Sequence, residues 1–149
     1  MTRVVLWLCV ACGALAIAAC GSSGGTLNRS ELVSKANSIC SGAQKSASAV
    51  PSPTNLTDAT VAAAYFDKIA PITDKETSDL AALHADGSAS GDWGAFLSAQ
   101  KTANGLLQTI RRKADAKDAS GLQDLRQVPA AGDRVRTTAL KLGAATCAQ

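Results

Sequence analysis

A chain of 149 residues, 46% of them hydrophobic and with a formal charge of +3, has room for one domain rather than two. So balanced a charge excludes an electrostatic nucleic-acid binder, which needs a basic stripe or patch. Aromatic residues make up 3% of the chain, too few for base-stacking platforms or for aromatic-lined sugar or haem pockets, so the core must be packed from leucines and small side chains.

The chain begins MTRVVLWLCVACGALAIAAC. Arg3 gives a positive start, and an uncharged, mostly apolar run follows from Val4 to Ala19. That run falls short of the ~20 apolar residues a spanning helix needs. A positive start, an apolar middle and small residues before a cut describe a secretory signal. The end, Ile17-Ala18-Ala19-Cys20, resembles the lipobox of bacterial lipoproteins. The resemblance implies cleavage after residue 19, a diacylglyceryl group on the Cys20 sulfur, and a lipid anchor on the extracytoplasmic face of the cell membrane. Two or more acyl chains, palmitate among them, hold a protein stably at ~0.8 kcal/mol per buried methylene. The plainer alternative is an ordinary signal cut after Ala18 or Ala19, which leaves a soluble secreted protein. Removing residues 1–19 from the 149 leaves 130, and the loss of Arg3 leaves a formal charge of +2. Gly21-Ser22-Ser23-Gly24-Gly25-Thr26 has the composition of a flexible tether. Residues 20–27 are therefore read as lipidated cysteine plus tether, and residues 28–149 as the folded domain.

Of the five cysteines, Cys9 and Cys12 leave with the signal and Cys20 is spent on lipid. Cys40 and Cys147 remain, an even number in an oxidising compartment, and the single pairing open to them is Cys40–Cys147. Two buried free thiols are the alternative. Two cysteines and a distant His84 do not make a metal site, so no metal or cofactor is expected.

Four helical stretches follow, divided by Pro, Gly and Asp clusters. The first spans about Arg29 to Ser48, capped by Asn28 or Ser30, with Leu32, Val33, Ala36, Ile39, Cys40 and Ala43 on one face. Pro51-Ser52-Pro53 breaks it. The second spans about Asp58 to Leu83 with Thr57 as its cap. Its expected stripe is Val61, Tyr65, Ile69, Ile72, Leu80 and Leu83, with a kink at Pro71. The third opens near Asp92 and carries Trp93, Phe96, Leu97, Ala103, Leu106, Leu107 and Ile110, with Arg111, Arg112, Lys113 and Lys117 toward its end, where cations suit the dipole. The fourth carries Leu122, Leu125, Val128, Val135, Ala139 and Leu142. Pro129 and Gly132 weaken its middle, which leaves open a split into two helices in series, and Gly143 is placed to end it.

This pattern predicts an all-α, up-and-down bundle of about four helices closed by one disulfide. The bridge requires residues 144–147 to fold back along the first helix. The pairing of Ala-Asn-Ser-Ile-Cys at 36–40 with Ala-Leu-Lys-Leu-Gly-Ala-Ala-Thr-Cys at 139–147 resembles small, helical, one-disulfide lipoproteins of high-GC Gram-positive bacteria. That resemblance supports the fold and implies no specific activity.

Candidate chemistry is sparse. His84 is the single histidine, at a helix end, where a C-terminal cation or a bystander is the ordinary reading. Asp74, Glu76 and Asp79 read as a solvated helix face, since a di-metal site of ferritin type would need Glu-x-x-His pairs on two helices. Arg111, Arg112 and Lys113 either dock anionic lipid headgroups or complement the dipole. Trp93, between Gly91 and Gly94, either lines a pocket or anchors the core. Asn55-Leu56-Thr57 matches a glycosylation sequon, uninformative in a bacterial chain. No catalytic constellation is legible, so no enzyme activity is expected. Two roles follow from the residues: a non-enzymatic interaction or structural domain meeting an envelope protein, or a binder of a small apolar ligand in a pocket near Trp93 and Tyr65. A gap of ~300 Å³ or more with convergent polar groups separates the two.

Overall fold

The computed structural model describes residues 25–149. The signal at 1–19, Cys20 and most of the tether lie outside the described residues. Among the described residues there are five α-helices and a terminal 3-10 turn: α1 (Arg29–Ser48), α2 (Ala59–Ala81), α3 (Ser90–Asp115), α4 (Gly121–Leu125) and α5 (Val128–Leu142), then Ala145–Ala148. The fold is the all-α bundle expected, closed by the Cys40–Cys147 disulfide, whose Cα atoms stand 5.2 Å apart. The four long helices run up and down. α2 packs on α3, α3 on α5, and α1 on α2, while the 3-10 turn joins α5 back to α1.

Each start and stop has a local cause. Asn28 caps α1 through a full capping box: its side chain accepts from the Glu31 N–H at 3.0 Å, and Glu31 reaches back to the Asn28 N–H at 3.2 Å. α2 is capped by Asp58 rather than Thr57. The Asp58 carboxylate accepts from the N–H groups of Thr60 and Val61, while Thr57 folds onto Asn55 in an Asx turn. The carboxylate reaches both amides and satisfies two free donors of the first turn at once. α2 continues through Pro71 to Ala81. α3 begins at Ser90, two residues before the expected Asp92, because Asp86 organises the preceding turn by accepting from Ser88 and Ala89. The fourth stretch is indeed split, but at Arg126–Gln127. Pro129 sits in the first turn of α5, where its missing N–H costs nothing, and Gly132 lies inside the helix.

α5 ends at Gly143, whose φ of 94° is left-handed. The N–H of Ala144 bonds the Ala139 carbonyl and that of Gly143 the Leu140 carbonyl, which is a Schellman motif. The reversal turns the chain along α1. There the Thr146 N–H donates to Asn37 Oδ1 at 3.0 Å, and Gln44 Nε2 donates to the Thr146 carbonyl at 2.6 Å. The predicted fold-back is thus a docked 3-10 turn held at both peptide groups.

Leu27, assigned above to the tether, belongs to the domain. Its N–H donates to the His84 carbonyl and its carbonyl accepts from Asp86, while its side chain packs on the core. At this same end Asp92 draws three elements together. It pairs with Arg29 of α1 and, at 3.2 Å, with Lys141 of α5, and Arg29 also donates to the Leu142 carbonyl. Those cations hold the Asp92 carboxyl below its ordinary range.

Buried side chains fall into two clusters. The larger, nearer Leu27, gathers Leu32, Ala36, Cys40, Leu80, Trp93, Phe96, Ala139, Leu142 and Cys147. The smaller, at the far end, gathers Ala62, Phe66 and Ile110 with partly buried Leu56, Tyr65, Leu106, Leu107, Leu125 and Val128 around them. On α2 the buried line is Ala62, Phe66, Ala70, Thr77 and Leu80. The stripe is rotated from the one expected: Val61, Tyr65, Ile69 and Ile72 are half-buried at its edge. Ala70 stands at the centre of the line, and the larger aliphatics fill the flanks.

Candidate functional site

Between the two clusters the bundle is not filled. A cleft of about 490 Å³ opens between α1, α2, α3 and α5. Its walls are largely apolar: Ala43 and Ala47 of α1, Ile72 of α2, Ala103, Leu106 and Leu107 of α3, and Val128, Pro129 and Val135 of α5. The disulfide partner Cys147 and Ala148 border it. The cause lies in the helix contacts. α1 and α5 are joined chiefly through the 3-10 turn rather than face to face, and several of the residues facing the gap are small. Ala43, Ala47, Ala103, Ala131 and Gly132 leave space that leucines would occupy. A Cβ added at Gly132 would meet nothing within 4 Å.

Polar groups converge on this apolar space. Glu76 of α2 and Gln100 of α3 lie together on the inner walls, with Thr73 and Gln44 nearby. Gln100 is buried. Thr73 Oγ1 donates to the Ala70 carbonyl and lies 2.9 Å from Asn104 Oδ1. Asp133 and Arg136, both exposed on α5, stand at the rim. A second depression of about 470 Å³ crosses the outer seam of α1 and α2 and shares Ala43, Ile72 and Glu76 with the cleft. Its charged rim residues, Lys75 and Asp79, are paired with each other at 2.6 Å.

Glu76 is the chemically distinctive group. Burial in the apolar wall penalises its carboxylate and pushes the pKa up to about 7, opposed by a hydrogen bond from the Gln100 side chain. The consequence for stability has a definite sign. An unfolded glutamate titrates near 4.5, so between that pH and about 7 the native state holds a proton that the unfolded chain has released, and stability falls as pH rises through this window. The scale is on the order of 2 kcal/mol, a shift of this size at 1.36 kcal/mol per pKa unit reduced for water in the open cleft. Asp86, Asp92 and Asp118 act oppositely. Hydrogen bonds from Ser88, Arg29 and Ser120 lead the causes that hold their carboxyls below the ordinary range, so their stabilisation is lost as pH falls below about 4. The urea midpoint of the wild type is therefore expected to be higher at pH 5 than at pH 8. Glu76→Gln removes most of that difference by stabilising the pH 8 form, and a midpoint difference unchanged in Glu76→Gln contradicts the assignment.

The other candidates take different places. The structure sets Asp74 and Asp79 on the solvated face, as expected: Asp74 accepts from Asn104 and Gln108. Glu76 was expected beside them; the structure places it half-buried at the seam of α1 and α2, where it lines both the cleft and the outer depression. His84 is exposed, and its carbonyl, not its ring, is engaged, by Leu27. Arg111 lies 3.2 Å from Asp67 and 3.8 Å from Asp115, and Lys113 lies 2.6 Å from Asp124. These cations tie α3 to α2 and α4, some 30 Å up α3 from the Leu27 end at 1.5 Å per residue. Trp93 is core. It is buried, stacks at a tilt on Phe96 with centroids 5.5 Å apart, and donates from Nε1 to the Leu83 carbonyl. Neither Trp93 nor Tyr65 lines this cleft; Trp93 borders a separate, shallower depression of about 430 Å³ together with Leu83, His84 and Leu97. No group of three or more potential metal ligands is found among the described residues, and no helix among them is long and apolar enough to cross a membrane.

No protein-family model, curated protein or solved structure matches the chain.

Proposed function

We propose that the chain is the precursor of an exported lipoprotein, held at the membrane through Cys20, whose helical domain receives a small, mainly apolar ligand in the cleft between α1, α2, α3 and α5. The role is binding without turnover. The observation that carries the ligand reading is the cleft. Its make-up, rather than its volume, sets it apart: apolar side chains from four helices form the walls and a few polar groups, the buried Gln100 among them, converge on the space, which matches how ligand pockets are built. Packing Gly and Ala where larger side chains would fill the gap forgoes dispersion and burial energy. A bound ligand restores those contacts.

The two halves of the proposal are tested separately. Cys20→Ala is expected to leave an unprocessed, unlipidated precursor. Membrane-bound protein of mature length from that variant contradicts the anchor. For the cleft, the probe is 1-octanol and the blocking variant is Gly132→Phe, whose side chain enters open space and replaces a mid-helix glycine that costs about 0.5–1 kcal/mol. Octanol is expected to raise the thermal midpoint of the wild type and to leave that of Gly132→Phe unmoved. An equal response from both proteins, or none from the wild type, contradicts the ligand reading.

A further inference from the structure

We propose that Glu76 is the recognition group of the cleft, and that the ligand it selects is an apolar molecule bearing a basic nitrogen. The inference rests on the ligand reading above and names its chemistry. A carboxyl group set in an apolar wall is expensive to keep ionised unless a cation or several hydrogen-bond donors meet it. The groups that face it from each neighbouring helix supply one donor and no pairing cation. From α3 comes Gln100, with Ala103, Leu106 and Leu107 around it. From α1 come Ala43, Gln44 and Ala47, none of them titratable. From α5 come Asp133 and Arg136, and from the terminal segment Gln149 with its α-carboxylate, all exposed at the rim. On α2 itself Lys75 is paired with Asp79. No ion pair to Glu76 is formed among the described residues.

The cleft thus holds a carboxyl group on its wall that no cation of the described residues pairs with, and that becomes a negative centre when it ionises. An ammonium group there meets the Glu76 carboxylate directly and finds a second acceptor in the Gln100 amide oxygen, while the apolar remainder lies on Leu106, Leu107 and Val135. In so apolar a place a charge-assisted hydrogen bond is stronger than at the surface. A neutral alcohol gains the apolar contacts alone, and a carboxylate ligand is repelled once Glu76 ionises. The proton balance follows. Free Glu76 holds a proton up to about pH 7, and an ammonium ligand requires the ionised form, so binding expels that proton and weakens as pH falls below 7.

The test is calorimetric titration of the purified protein with octylamine, 1-octanol and octanoate, three probes with comparable chains and different head groups, at pH 8 and pH 5.5. Octylamine is expected to bind at least tenfold more tightly than octanol at pH 8, with octanoate weakest. Its advantage is expected to shrink about tenfold at pH 5.5 and to vanish in Glu76→Gln. Should that variant fail to fold, the wild-type pH comparison decides alone. Octylamine and octanol binding equally at both pH values overturns the amine inference and leaves the ligand reading standing. Octanoate binding tightest overturns it too. Failure of all three probes to bind overturns both.

Discussion

Reduction of the Cys40–Cys147 disulfide, or its replacement by two alanines, is expected to lower stability by about 4–5 kcal/mol. The bond spans 107 residues. A cross-link over a loop of about a hundred residues removes that much chain entropy from the unfolded state in the loop-closure account. A domain of this size has about 5–15 kcal/mol in total, so the loss takes about a quarter of it or more. The folded side keeps other contacts. The 3-10 turn remains held to α1 through Asn37 and Gln44, so the reduced protein is expected to stay helical and native-like at neutral pH and low denaturant. With a urea slope of about 2 kcal/mol per molar, the midpoint falls by about 2 M. A shift under 0.5 M contradicts the view that the bridge closes the bundle. The site shares in this, because Cys147 and Ala148 border the cleft and octanol binding is expected to weaken when the turn is no longer covalently fixed.

Phe96→Ala is expected to cost about 3–5 kcal/mol, the usual range for emptying a buried aromatic site. Phe96 is fully buried at 0% exposure in the larger cluster, against Trp93 and among Leu32, Leu80 and Leu142. Trp93 is fixed by its hydrogen bond to the Leu83 carbonyl and cannot swing into the space, so the cavity stays open. Leu140→Ala is the matched control. Leu140 is 55% exposed, and its truncation is expected to change stability by less than about 0.5 kcal/mol. Equal effects from the two substitutions, read from urea midpoints, contradict the placement of the core.

The sequence carried the bundle well because its information is periodic. On α5 the three-and-four spacing picks out Val135, Ala139 and Leu142 and passes over Leu140, and burial follows that choice. The disulfide was legible from counting, once Cys20 was set aside. Caps were legible to within a residue: Thr57 and Asp58 are both good caps, and which one reaches the first-turn amides depends on the Asx turn at Asn55. The cleft was not legible, because a void is made by what four helices leave between them and not by any one of them. Its polar pair did leave a trace. Glu76 stands four residues after Ile72 and four before Leu80. Gln100 stands four after Phe96 and three before Ala103. Both occupy places in an apolar stripe where a leucine is ordinarily expected. Grouping Glu76 with Asp74 and Asp79 by charge hid this, whereas grouping it by helical face exposes it. Leu27 was missed for a different reason. A single hydrophobic residue after a Gly/Ser run has no period, and its place was set by pairing with a loop almost sixty residues away.

The proposal that the cleft is a ligand site is tested most directly by titrating nitrogen-15-labelled protein with 1-octanol and following backbone amide shifts. Occupancy of the cleft predicts saturable shifts concentrated at Ala43, Ile72, Gln100, Ala103, Gly132 and Val135, on four different helices that all border this space. Shifts confined to outward positions such as Gly94 and Lys101, or spread without saturation over the whole domain, contradict it.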